Sequence, residues 1–200
     1  MTGFKCKYCG KEYKTEKGLA KHHCVQMDRY NEWSDTMAYV FNIVNNYYQL
    51  CKKCEDVEEQ KIVLINCRYY DLIKKLEQWA LATQPLSFIG YVKYLKDNLI
   101  NFKLWTNDHT YHCFLYQYLK NEPDAIAISR AENYFKNNDL TIDTISSNRL
   151  HLLIKYGNIS VKYLKYINYP IEKIEQRLDK DQWQEIRPLL IDPLNFDKKY

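Results

Sequence analysis

The chain has 200 residues, 46% of them apolar and 27% charged, with a net charge of +4. That balance excludes a disordered chain and suits one moderate globular domain with a small appendage. Nineteen tyrosines stand against five glycines and five prolines, which argues for long helices rather than a turn-rich sheet fold, and no apolar run approaches the roughly 20 residues that span a bilayer.

Residues 4–24 carry the densest chemistry. Phe4 is followed by Cys6, Cys9 and Tyr13, and then by Leu19, His22, His23 and Cys24. The Cys6-x2-Cys9 spacing fits a knuckle in which both sulfurs face one ion. The twelve residues between Cys9 and His22 suffice to turn, start a short helix and bring an imidazole back to that ion. Zinc suits these soft and borderline ligands and holds them in a closed tetrahedron. Phe4, Tyr13 and Leu19 would form the small core beside the site. A module this short cannot bury enough apolar surface to fold unaided, so metal binding would supply its folding energy.

This stretch resembles a zinc finger of the two-Cys, two-His class: aromatic, Cys-x2-Cys, aromatic after three, Leu after five, His after two. The match covers about a tenth of the chain. It departs at the fourth ligand. The family places that ligand four to six residues after the first His, where this chain has Gln26, Met27 and Asp28, none of them suited to zinc. Cys24 is the first substitute and His23 the second. Residues two apart point to nearly opposite sides of a regular helix, so a His22-x-Cys24 pair requires the helix to tighten or end at His22.

The resemblance implies a ββα finger, a zinc ion on Cys6, Cys9, His22 and Cys24, and contact with nucleic acid. With His22 as the seventh helical residue, the family's base-reading positions fall at Thr15, Gly18 and Lys21, with Lys17 beside them. Lys14, Lys17 and Lys21 lie around the start and exposed side of that helix. Gly18 has no side chain to reach a base edge, Lys21 can meet guanine, and Thr15 reads weakly. A lone finger covers about three base pairs. Weak, salt-sensitive binding, mostly to the phosphate backbone, is therefore expected.

The charge distribution points the same way. Residues 1–24 hold six lysines (5, 7, 11, 14, 17 and 21) against Glu12 and Glu16, a net of +4. The whole chain also carries +4, so the remainder is neutral. Zinc on three thiolates subtracts about one charge and leaves the finger near +3. An anionic partner fits this charge, either a phosphate backbone or an acidic protein face. A lysine-rich solvated surface fits it too.

Beyond Cys24 the pattern is helical. Residues 25–32 read as a helical or irregular link. Residues 33–54 place Met37, Val40, Phe41, Val44, Tyr47, Tyr48 and Cys51 at helical spacing. The acidic stretch 55–60 suits a loop or helix end. A second helix is predicted over 61–82, and Pro85 opens a third running to about residue 101. Thr106-Asn107-Asp108 reads as a turn and cap before a fourth, over 109–120. Pro123 opens a fifth to about residue 137, where Asn138-Asp139 breaks it.

The last third reads as short helices. Asp143 or Thr144 caps one that ends at Gly157-Asn158. Ser160 caps another over 161–167, Pro170 starts the next, and Asp179 or Asp181 caps a last one to residue 190, distorted by Pro188. Pro193 and Asp197-Lys198-Lys199 mark a frayed tail. The predicted fold class is all-α: a ββα zinc finger at 1–30 and a multi-helix globular domain at 31–200. Its expected core contains Phe41, Val44, Leu72, Leu76, Trp79, Val92, Leu95, Leu115, Leu119, Leu152, Leu153 and Leu164.

The layout as a whole more loosely resembles uncharacterised zinc-finger proteins of large contractile-tailed phages. The points of similarity are Lys7-Tyr8-Cys9 to His22-x-Cys24, the stretch Leu104-Trp105-Thr106-Asn107-Asp108 with Tyr116 and Tyr118, and Tyr156-Gly157-Asn158-Ile159-Ser160. The resemblance implies a viral accessory protein acting in an infected bacterium.

Other features carry less chemistry. Cys51-x2-Cys54 followed by Cys67 echoes the finger spacing, but no fourth ligand lies nearby in sequence, and cysteine is also a small buried apolar residue. No Gly-rich phosphate loop or nucleophile elbow is present, and the carboxylates are scattered. His109, His112 and His151 fall beside aromatics on predicted helices, where structural roles suit them. The Lys/Tyr interleaving at 91–96 and 162–166 could stack single-stranded bases or line ordinary buried faces. Seven cysteines in this pattern read as metal ligands and free thiols of a reducing cytoplasm, and a chain that begins with a finger is expected to lack a secretory leader. The expected function is a non-catalytic zinc-binding protein whose finger contacts nucleic acid. The alternative is an adaptor that docks on host or viral proteins.

Overall fold

The structure, a computed structural model, describes residues 3–54 and 56–191. A small antiparallel hairpin, β1 (Phe4–Lys5) and β2 (Glu12–Tyr13), pairs Phe4 with Tyr13 and Lys5 with Glu12. Twelve α-helices follow among the described residues: α1 (Glu16–Ala20), α2 (Val25–Asn31), α3 (Asp35–Tyr48), α4 (Val57–Ile65), α5 (Tyr70–Thr83), α6 (Phe88–Asp97), α7 (Asp108–Asn121), α8 (Asp124–Asn137), α9 (Ser147–Lys155), α10 (Val161–Tyr166), α11 (Ile171–Arg177) and α12 (Lys180–Ile191). The fold is thus a ββα finger followed by helices. None of these helices is long and apolar enough to cross a membrane. The tail around Pro193 and Asp197-Lys198-Lys199 lies outside the described residues, as does position 55.

The helices divide between two compact units. The first runs to Ala82 and takes in Ile89–Thr106; the second is built from Thr83–Phe88 and the chain from Asn107 onward. In the first unit Trp105 is fully buried, its ring 4.7 Å from Tyr48 and 4.8 Å from Phe102, and its Nε1–H donates to the Ile100 carbonyl. Tyr91, also fully buried, donates its hydroxyl to the Trp105 carbonyl. A buried indole or phenol keeps its apolar body inside only when its polar end finds a partner, and these two satisfy each other's neighbourhood. The second unit closes around Ala131, Phe135, Leu150, Leu153, Leu164 and Ile186. There the Lys155 ammonium bridges Asp108 and Glu185 at 2.8 and 2.9 Å.

Several predicted elements are corrected. The helix read over 33–54 stops at Tyr48. Gln49 takes the left-handed conformation, and the Asn45 side chain accepts the backbone N–H of Cys51. Cys51 and Cys54 therefore lie on irregular chain, not on a helical stripe. The helix read over 61–82 is two helices. Asn66 ends the first, and its side-chain amide donates to the Ile62 and Tyr8 carbonyls. The cap placed at Asp143 or Thr144 is Ser146, whose hydroxyl accepts from Arg149 N–H, while Thr144 closes a turn on Thr141.

Among the expected core residues, Leu72 and Leu119 are only partly buried and Leu152 is exposed. Ile73 and Leu150 are buried near Leu72 and Leu152 on the same helices, and Leu153 is buried as expected. A periodic stripe fixes the inward face only to within about one residue, because each helical position turns 100°.

Candidate metal centre

The site grows from the hairpin. Leaving β1, the chain folds back at once: the Cys6 N–H donates to the Lys11 carbonyl, and the Gly10 N–H to the Cys6 carbonyl, both at 2.9 Å. Gly10 holds φ +73°, a conformation that side chains with a Cβ rarely adopt. The knuckle so formed turns both thiols to the same side. After β2, Thr15 caps α1 by accepting the Gly18 N–H at 3.1 Å. The helix has five residues and ends at Ala20, and His22 N–H then closes a tight turn on the Leu19 carbonyl. Past that turn the chain is extended at Cys24 (φ −147°, ψ 155°). The helix ends before His22, and this is how a His-x-Cys pair reaches one point.

Cys6, Cys9, His22 and Cys24 come together, with one ligand atom of each lying within 4.8 Å of all the others. Cys6 is buried and the other three are half-buried. Cys9 Sγ is 3.3 Å from His22 Nε2. In a tetrahedron with metal–sulfur bonds of about 2.3 Å, neighbouring ligand atoms stand about 3.8 Å apart. The observed spread closes onto one ion when the ligand separations shrink by up to about 1 Å. A hairpin, a knuckle and a short helix around these four groups is consistent with a zinc finger, and the Cys3His set can hold a metal ion. His23 does not join them; it faces Asp28, 3.0 Å away, and its side chain is 72% exposed.

The surroundings favour charged sulfur at one corner. Burial alone would raise the Cys6 thiol, but hydrogen bonds from the backbone of Cys9 and Tyr8 and from the neighbouring thiols outweigh it and lower it. Burial pushes Cys24 up.

One contributor was not foreseen from the sequence. Tyr13, expected only to pack, places its hydroxyl 2.6 Å from His22 Nδ1. When Nε2 binds the metal, Nδ1 must carry the ring's proton and can donate it to the Tyr13 oxygen, which would hold the ring's orientation and tautomer. The signal in the sequence was the hydroxyl itself, since phenylalanine would pack as well. Tyr13→Phe is expected to keep the finger fold and weaken metal binding about 10-fold or more, as measured by competition with a chromophoric chelator.

The remaining sequence candidates fall outside the cluster. Among the described residues, no group of three His, Cys, Asp or Glu ligand atoms includes Cys51, Cys54 or Cys67. His109 pairs with Cys113 at 3.7 Å. Lys14, Thr15, Lys17 and Lys21 are all exposed on and around α1, but the Thr15 hydroxyl is committed to its cap. In the Lys/Tyr stretches, Tyr91 and Tyr163 are buried, Tyr94 is half-buried and Lys93 is paired with Asp97, so Tyr166, 56% exposed, is the one ring of the four that presents an open face.

The knuckle also meets the rest of its unit. Tyr8 packs edge-on against Tyr30 at 4.8 Å, Lys61 lies 3.6 Å over the Tyr30 ring, and Asn66 donates to the Tyr8 carbonyl at 3.0 Å. No protein-family model, curated protein or solved structure matches the chain.

Proposed function

We propose that the chain is a non-catalytic zinc-binding protein whose basic finger touches nucleic acid, mainly along the phosphate backbone. The observation that carries this reading is the convergence of Cys6, Cys9, His22 and Cys24 in the one segment that holds all of the chain's net positive charge. Zinc is the assigned metal because three thiolates and one imidazole form a soft, closed set that leaves no open position for a substrate. Lys14, Lys17 and Lys21 supply exposed positive charge on and around α1. A five-residue helix with Gly18 at its centre and Thr15 committed to capping offers little for reading base edges, so sequence selectivity is low. The looser resemblance to phage proteins puts this activity in an infected bacterium.

Replacing Lys17 and Lys21 with alanine is expected to weaken binding to unrelated duplexes alike. The slope of log affinity against log salt should flatten by up to about two units, with zinc content unchanged. Titration of a labelled duplex at two or more salt concentrations reads both effects. If the double variant binds as the parent does, the finger is not the contact.

A second reading has its own support. Leu99 is 90% exposed, with Phe102 and Leu104 partly exposed close by in sequence. Such apolar surface suits a protein partner better than a phosphate backbone, and an adaptor would dock this segment and the finger on host or viral proteins.

A further inference from the structure

We propose that the second unit carries a binding site for a small amphipathic anion, a carboxylate or phosphate head on an apolar body. The site is a cavity of about 370 Å³ lined from α7, α10 and α12 and the start of α8, within the size range of small-molecule pockets. Leu119, Val161 and Leu189 give it apolar walls, while Lys120, Lys162 and Lys165 stand against one carboxylate, Asp124.

The lysines have different duties. Lys162 is held in place: it pairs with Asp124 at 3.1 Å and donates to the Glu122 carbonyl. That pairing neutralises Asp124, the one carboxylate among the described lining residues. Lys120 and Lys165 have no ion-pair partner among the described residues. Two uncompensated ammonium groups at an apolar cavity select a negative head group.

Ser160 is the second and independent observation. It lines the cavity, it is 4% exposed, and its Oγ has no hydrogen-bond partner among the described residues. It occupies the N-cap position of α10, where serine normally accepts a backbone N–H, yet makes no such bond. A buried hydroxyl left unpaired opposes folding, so the local structure gains nothing from it. A ligand oxygen in the cavity would give it a partner. The head group accepts from Ser160 Oγ–H and from the Lys120 and Lys165 ammonium groups, and the tail lies along Leu119, Val161 and Leu189.

The test is calorimetric titration of the intact chain with octanoate and octyl phosphate, with octanol as the neutral control. Saturable one-to-one binding of either anion is expected, the preferred one identifying the head group, with octanol at least about tenfold weaker. Lys120→Gln with Lys165→Gln, both exposed positions, should lower anion affinity about tenfold and remove its salt dependence. Ser160→Ala separates a ligand role from a structural one. It should raise the unfolding midpoint of the free protein and yet weaken anion binding about tenfold. The proposal is overturned if neither anion saturates, if octanol binds as tightly as the anions, or if Ser160→Ala lowers the midpoint and leaves affinity unchanged.

Discussion

Cys6→Ser is expected to take the metal content of purified protein from about one ion per chain to none and to unfold residues 4–24. Cys6 is the buried ligand of the four, and its loss leaves two sulfurs and one imidazole, half-exposed and open to water. The finger has no other source of stability of comparable size. Its hairpin is two residues per strand, α1 is five residues, and neither strand nor α1 contains a fully buried residue. Structural zinc sites contribute about 10–16 kcal/mol of apparent binding energy at neutral pH, far beyond what so small a core supplies. Metal analysis gives the count, and amide spectra report which residues lose order. The helices α3–α12 should persist, because each compact unit has its own buried side chains. A stoichiometry that stays near one in the variant would show that Cys6 is not a ligand.

Gly157→Ala should be among the most damaging single-methyl additions in the chain, at about 3 kcal/mol or more. Two causes act together. Gly157 holds φ +83°, a conformation side chains with a Cβ rarely adopt, and an added Cβ would stand 2.5 Å from Leu115 Cδ1 and 3.3 Å from Leu86 Cδ2. Leu115 is fully buried and cannot swing into solvent. The backbone around Gly157 is tied down as well: its N–H donates to the Ile154 carbonyl and that of Ile159 to the Leu153 carbonyl, both at 3.0 Å. Urea unfolding measures the loss. Leu115→Ala in the Gly157→Ala background then separates the causes. Removing the clash should give a favourable coupling of about 1 kcal/mol between the two sites, while the backbone strain stays. Additive effects would mean that the conformation alone accounts for the damage.

What the sequence reveals depends on how local each determinant is. The four candidate ligands stand out because the knuckle spacing, the turn and the helix stop all act within residues 6–24, so the pattern is nearly a description of the geometry. Helix starts at Asn107, Pro123 and Pro170 stand out for the same reason, since a cap or a proline acts on its own next turn. The failures involve partners far along the chain or competition between equals. Asn66 splits one predicted helix in two, and its amide also reaches the Tyr8 carbonyl 58 residues away, which no local window contains. Ser146 displaces Asp143 and Thr144 as a cap, although all three are competent residues, because Thr144 is already engaged with Thr141. The Tyr13–His22 bond was hidden because a tyrosine that packs and a tyrosine that orients a ligand look identical in sequence.

Cys24 gives the N-terminal segment a property that finger domains strung on linkers lack. The residue is a candidate metal ligand and also the N-cap of α2, with its carbonyl accepting the Met27 and Asp28 N–H groups at 2.9 and 3.3 Å. No spacer separates coordination from the next helix. A cut after Cys24 uncaps α2, and a cut before it removes a ligand, so the finger cannot be grafted onto another protein as an interchangeable cassette. The same sharing forbids the free swivelling by which tandem fingers follow a groove. Whatever surface the finger presents is presented close against α2, and one residue added between His22 and Cys24 would set the position of the fourth ligand against the position of the helix start.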